Sequence, residues 1–187
     1  MAALTGCGSG GDPVSVSVGN GGGKGKAAGP LSVEQIRAAL PTDTSMGSNF
    51  AGDEAVAAGG DGARAHCAET TGATCDGLVA GGMKELKRRG RGETKVEFTL
   101  FSFDSPKAAT AAMKSLSAKR RTDIEPTPAP VKVEAGADET DAVGNDRVTA
   151  VVMRVGSVLV YVWAVETKLE DTNFAAQHQV DRLKTAV

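Results

Sequence analysis

Three thiols carry the most distinctive chemistry in this sequence. Leu4-Thr5-Gly6-Cys7 matches a bacterial lipobox, in which an aliphatic and two small residues precede a cysteine that accepts a diacylglyceryl group. Processing there makes Cys7 the lipidated first residue of a protein held at the outer face of the cell membrane. A secretory signal needs a charged segment and roughly 7–15 apolar residues before cleavage. Only Met1 to Gly6 stand ahead of Cys7, so residues 1–7 read as the remnant of a signal peptide and its lipobox. The alternative is an unmodified thiol in a flexible tail. With Cys7 lipidated, Cys67 and Cys75 remain as a pair, expected to form a disulfide across a short Gly- and Thr-containing loop. Such a bridge is worth about 2–3 kcal/mol on the chain-entropy view. The alternative there is two reduced cysteines in a cytosolic chain. His66 is the one further metal-ligating side chain close by, and no second Cys pair exists, so neither zinc nor any other metal or cofactor is expected.

Catalytic constellations fail on context. Gly6-Cys7-Gly8-Ser9-Gly10-Gly11 fits G-x-G-x-x-G by letter but follows no strand. Gly23-Lys24 and Gly25-Lys26 lack the phosphate loop's earlier glycine, since Val18 and Asn20 occupy those positions, and no Ser or Thr follows either lysine. No G-x-S-x-G elbow occurs. His66 and His178 are the two histidines, and His178 is expected to face solvent from a terminal helix. A hydrolase would need Glu69, Asp76 or His66 to converge around a pocket. The chain therefore reads as a non-enzyme.

Charge and composition narrow the partners. A net charge of -2 argues against nucleic acid, which selects a strong basic excess. No apolar run reaches the roughly 20 residues of a membrane span. Lys84, Lys87, Arg88, Arg89 and Arg91 form a local basic cluster that would suit an anionic surface, or else a solvated hairpin or helix end. Glu134, Asp138, Glu139, Asp141 and Asp146 lack calcium-loop spacing and read as solvated.

These residues must be positioned by one domain. Residues 8–30 are rich in Gly and Ser and cannot offset their ordering entropy by burial, so they read as a flexible tether reaching about 25–30 Å, with Val14, Val16 and Val18 included in it. Residues 31–187 read as a single α+β domain. Ser32 to Gln35 is a capping-box pattern opening a helix to Leu40, stopped by Pro41. Residues 42–62 read as irregular, and 73–89 as ambiguous between helix and strand because Gly77, Gly81 and Gly82 interrupt its helical spacing. Residues 94–103 read as a central strand, apolar on both faces. Ser105 and Pro106 open a second helix with a stripe of Ala109, Ala112, Met113 and Leu116. Pro126, Pro128 and Pro130 stiffen a crossing segment, and 131–133 and 140–143 read as short strands. Residues 147–155 and 157–165 form a hairpin about Gly156, and Thr172 caps a last helix with Ala176, Val180, Leu183 and Val187 inward. The order is helix, strand, helix, strands, helix, with a mostly antiparallel sheet and helices packed on one face.

Residues 101–116 (FSFDSPKAATAAMKSL), residues 147–164 (RVTAVVMRVGSVLVYVWA) and the terminal amphipathic helix resemble a family of actinobacterial cell-surface lipoproteins. They are also similar to the extracellular sensor domain of PknH-type serine/threonine kinases. The resemblance implies a small α+β ligand-sensing module with a cleft. Tyr161 and Trp163 lie two apart on one strand and thus share a face, as ligand contacts if that face is open and as core if a helix covers it. The expected function is a lipid-anchored, extracytoplasmic domain that binds or senses an envelope ligand, or alternatively a structural accessory acting through protein contacts. Its partners are then the membrane, through lipid on Cys7, and an unknown envelope ligand or protein.

Overall fold

The computed structural model describes residues 29–90 and 92–186. Cys7, Val14, Val16, Val18 and the rest of the tether up to residue 28, together with Arg91 and Val187, lie outside the described residues. The chain enters through α1 (Val33–Ala39), where the capping box forms: Ser32 Oγ accepts from the Gln35 amide and Gln35 Oε1 from the Ser32 amide. Two short strands, β1 (Phe50–Ala51) and β2 (Val56–Gly59), lead to α2 (Gly60–Thr71) and the long β3 (Leu78–Arg88). β4 (Lys95–Phe103) runs into α3 (Pro106–Asp123), whose Ser105 cap accepts from the Ala108 amide. β5 (Ala129–Pro130), β6 (Glu139–Gly144), β7 (Val148–Val155) and β8 (Val158–Val165) follow, and α4 (Leu169–Thr185) ends the chain.

The strands form one antiparallel sheet in the order β1-β3-β4-β8-β7-β6-β5, with β2 also paired to β3. The α+β class and the mostly antiparallel sheet are thus as the sequence predicts. The helices, however, cover both faces rather than one, and β4 is the reason. Its Val96, Phe98 and Leu100 point to one side and Phe101 and Phe103 to the other, all of them fully buried. Each face must therefore be covered. α1 and α4 close the first with Ile36, Leu40, Ala176, Val180 and Leu183. α2 and α3 close the second with Cys67, Ala109, Ala112, Met113 and Leu116.

Other differences have local causes. Residues 42–62, expected to be irregular, contain β1 and β2 and lead directly into α2. Residues 73–89 resolve to β3, and the glycines that weaken a helix there serve the sheet instead. A Cβ on Gly82 would lie 2.7 Å from Ile36 Cγ2 and 2.8 Å from the Val56 carbonyl oxygen. Its absence lets α1 and β2 seat against β3. Thr172 is not the cap of α4, which begins at Leu169; Thr172 is buried and its hydroxyl donates to the Lys168 carbonyl. The expected strand at 131–133 is replaced by β5, although the Val131 amide still donates to Ala142. The strand expected at 140–143 lies within β6, and the hairpin turns at Gly156 with φ of 57°.

Candidate functional site

On the face beneath α2 and α3, strand register stacks side chains in rows across β4 and β8. Phe101 lies opposite Leu159, Thr99 opposite Tyr161, and Glu97 opposite Trp163. β3 extends these rows with Gly81, Met83 and Glu85. α2 sits over the first row, with the His66 ring 5.5 Å from that of Phe101. α3 crosses the next two, holding the Arg120 guanidinium 4.9 Å from the Tyr161 ring centre and 5.4 Å from that of Trp163. The two helices are tied together where Ser115 Oγ donates to the Thr71 carbonyl at 2.8 Å and Arg120 Nη2 to the Thr70 carbonyl at 3.4 Å. Four elements thus contribute His66, Thr99, Arg120, Tyr161 and Trp163 to this face of the sheet.

Some polar atoms in this layer lack partners. His66 Nε2, Thr99 Oγ1 and Arg120 Nε are buried without a partner, and so is Ser117 Oγ one turn earlier on α3. Leaving such a group unpaired costs about 1–3 kcal/mol, and Asn173 Oδ1, His178 Nε2 and Gln179 Oε1 on α4 are in the same condition. Burial raises the Tyr161 phenol above its ordinary range, with nearby Arg120 opposing, so it stays protonated at neutral pH. Tyr161 and Trp163 do share a face, but differently: Tyr161 is 2% exposed and belongs to the core, while Trp163 is half-buried at the rim. His66, Thr99, Glu97 and Arg120 were not marked by spacing. Thr99 and Glu97 are nonetheless visible as polar interruptions in an otherwise apolar strand.

Cys67 and Cys75 are bridged, joining α2 to the loop before β3, and both are buried. The basic cluster is divided, with Lys87 and Arg89 exposed, Arg88 half-buried and Arg91 outside the described residues. Lys84 is buried, donating from Nζ to Asp43 Oδ1 at 2.7 Å and to the Asp53 carbonyl, and Lys87 pairs with Glu85 at 2.9 Å. Lys84 borders an open cleft of about 550 Å³ beside α1, also lined by Arg37, Asp43, Glu54 and Arg182. Arg182 is occupied there, donating to the carbonyls of Ala38, Ala39 and Leu40 at the end of α1. The acidic residues are solvated as expected, Glu134, Asp138, Glu139 and Asp146 being exposed, and most also form surface pairs: Asp138 and Glu139 with Arg154, Asp141 with Arg121, and Glu134 with Lys132.

Of the hydrolase candidates, His66 packs on Phe101, Asp76 accepts from Thr74 at 2.9 Å, and Glu69 is exposed. His178 is half-buried against Phe174 rather than facing solvent. Among the described residues, no group of three or more His, Cys, Asp or Glu is placed to hold a metal ion, and no helix is long and apolar enough to cross a membrane.

An antiparallel sheet covered on both faces, with a disulfide-stapled helix over one of them, defines a small α+β domain. No family model matches the chain, and no curated protein matches it. Among solved structures it is similar to the extracellular domain of PknH from Mycobacterium tuberculosis, at 16% identity and a TM-score of 0.58, over 83% of this chain and 98% of that one. The shared property is the fold.

Proposed function

We propose that this chain is an extracytoplasmic, sensor-like domain that binds a ligand without catalysis and is held to the outer membrane face by lipid on Cys7. The observation that carries the binding reading is the open cleft of about 550 Å³ beside α1, where Arg37, Lys84 and Arg182 meet Asp43 and Glu54. The Cys67–Cys75 bridge supports the compartment, because such bonds persist in oxidising surroundings, and the fold likeness to an extracellular domain agrees with it. Two measurements test this. Intact mass of the protein from its native host, with its upstream coding region restored, is expected to give a chain starting at diacylglyceryl-Cys7 with two hydrogens missing. A thermal-shift screen against small molecules of the cell envelope is expected to find a stabiliser. An unmodified chain with free thiols would remove the anchor and compartment, and a screen without any stabiliser would remove the binding role.

A second reading, an accessory that docks a protein, is favoured by one feature. Phe174 on α4 is 54% exposed and Leu169 on the same helix 42%, so two large apolar side chains of one element face outward. On that reading Phe174→Ser abolishes a specific crosslink formed in cells while the melting temperature is unchanged.

A further inference from the structure

We infer that the cleft beside α1 takes a small zwitterion, an amino acid or short unblocked peptide, with Arg37 holding its carboxylate and Glu54 its ammonium; this rests on the ligand-binding reading above. Charge reaches the cleft from several elements: Arg37 from α1, Lys84 from β3, Arg182 from α4, Asp43 from the chain after α1, and Glu54 from between β1 and β2. These charges are unequally engaged. Lys84 and Asp43 neutralise each other across 2.7 Å. Arg37 and Glu54 are exposed, and neither forms an ion pair among the described residues. The hydrogen bond that Arg37 does make is long, 3.4 Å from Nη2 to the Ala57 carbonyl, where about 2.9 Å is usual. A cation and an anion thus border one space without pairing, and a molecule bearing both charges complements them. The same two side chains also border an adjoining cleft along Ala55, Val56 and Ala57.

Further donors favour the acid end of such a ligand. A lysine ammonium has three N–H groups, and Lys84 uses two, on Asp43 Oδ1 and the Asp53 carbonyl. Arg182 uses Nε and Nη2 on the carbonyls of Ala38, Ala39 and Leu40, which leaves Nη1 without a protein partner. Donors on charged groups bind a carboxylate about twice as strongly as a neutral acceptor. Glu54 is the lining carboxylate left for a cation, and its backbone is held in place. Lys84 fixes the Asp53 carbonyl, a Cβ on Gly52 would run into the Glu85 carbonyl oxygen, and β2 begins two residues further on at Val56. Leu40, Pro41 and Ala55 add apolar surface for the rest of the molecule. At about 550 Å³ the cleft has room for a dipeptide.

The probes are alanylalanine, its N-acetyl derivative, which lacks the ammonium, and its C-terminal amide, which lacks the carboxylate. In an NMR titration alanylalanine is expected to shift the backbone amides of residues 42–44 and 52–55 saturably. Each blocked analogue is expected to bind about five-fold or more weakly, the worth of one ion pair at a partly solvated site. Glu54→Gln is expected to weaken alanylalanine by a similar factor and to leave the N-acetyl derivative unchanged. Arg37→Gln is expected to do the same while leaving the amide unchanged. Both side chains are exposed, so both variants are expected to keep the wild-type melting temperature. Equal binding of alanylalanine and either blocked analogue would overturn the zwitterion. Full alanylalanine affinity in either variant would overturn the role of that residue, and with it the pairing. If alanylalanine leaves these amides unmoved while the envelope screen still yields a stabiliser, only this assignment falls; if the screen also yields nothing, the binding role falls with it.

Discussion

Lys84 Nζ donates to Asp43 Oδ1 at 2.7 Å from a side chain only 6% exposed, so a charge from the middle of β3 holds down the segment between α1 and β1. The same ammonium also donates to the Asp53 carbonyl, between β1 and β2, tying the chain on both sides of β1 to the sheet. Removing one member of an ion pair is costly where the other stays buried, but Asp43 is 54% exposed and water replaces its lost partner, whereas truncation of Lys84 also leaves a cavity. Lys84→Met is expected to cost about 1 kcal/mol or less and Lys84→Ala about 2–3 kcal/mol in denaturant unfolding.

Acid should release the same tether. The hydrogen bond from Lys84 holds the Asp43 carboxyl below its ordinary range. A depressed carboxylate contributes stability above its unfolded pKa of about 3.9, and that contribution is lost as pH falls through the lowered folded value. Asp43→Asn is therefore expected to flatten the acid limb of the melting temperature against pH below about 4. An unchanged acid limb would show that Asp43 does not govern it.

Reduction tests the staple on α2. The bridge spans a sequence separation of 8, for which loop-closure entropy gives about 2–3 kcal/mol. In a chain of this size that corresponds to a fall of roughly 5–10 °C in melting temperature, for reduced protein and for the Cys67→Ala, Cys75→Ala double variant alike. A drop in reduced protein that the double variant does not share would point to exposed thiols rather than to lost closure.

Much of the fold was legible, and what was not has a physical cause. The two-faced apolar run of β4 and the β7–β8 hairpin both follow from alternation and a glycine turn. That same run already implied cover on both faces. α2 is hidden because Gly60-Asp61-Gly62 opens it and few of its residues are apolar; it is held by Cys67, Ala63 and the bridge, which are tertiary facts. β2 depends on Gly81 and Gly82 across the sheet, a pairing without local signature. Tyr161 and Trp163 were readable as one face because period two is local. Arg120 over their rings was not, since only the crossing of α3 over β8 brings them together.

Gly82 tests how tightly α1 is seated. Its φ does not require glycine, but a Cβ there would lie 2.7 Å from Ile36, 2.8 Å from the Val56 carbonyl oxygen and 3.1 Å from Leu40. Two of these are α1-side apolar groups and the third is β2 backbone, so relief means moving an element. Gly82→Ala is expected to cost about 1–3 kcal/mol, the range of core overpacking, with faster amide exchange in α1 and β2. A neutral effect would mean that α1 adjusts freely on the sheet.

His178 gives the neutral-side pH dependence. Burial against Phe174, with Arg182 adding repulsion, holds its imidazole below the ordinary value. Asp181 opposes this more weakly. The folded state thus prefers the neutral ring, and Nε2 is buried without a partner to receive a proton's charge. For a depressed histidine the contribution is complete above the unfolded pKa of about 6.5 and is lost as pH falls through the folded value. The melting temperature of the wild type is expected to decline from about pH 6.5 downward, and His178→Gln to remove that slope while leaving the acid limb governed by Asp43 in place. Parallel curves between pH 7 and 5 would mean that the ring is hydrated in both states and that its stack on Phe174 does not exclude the charged form.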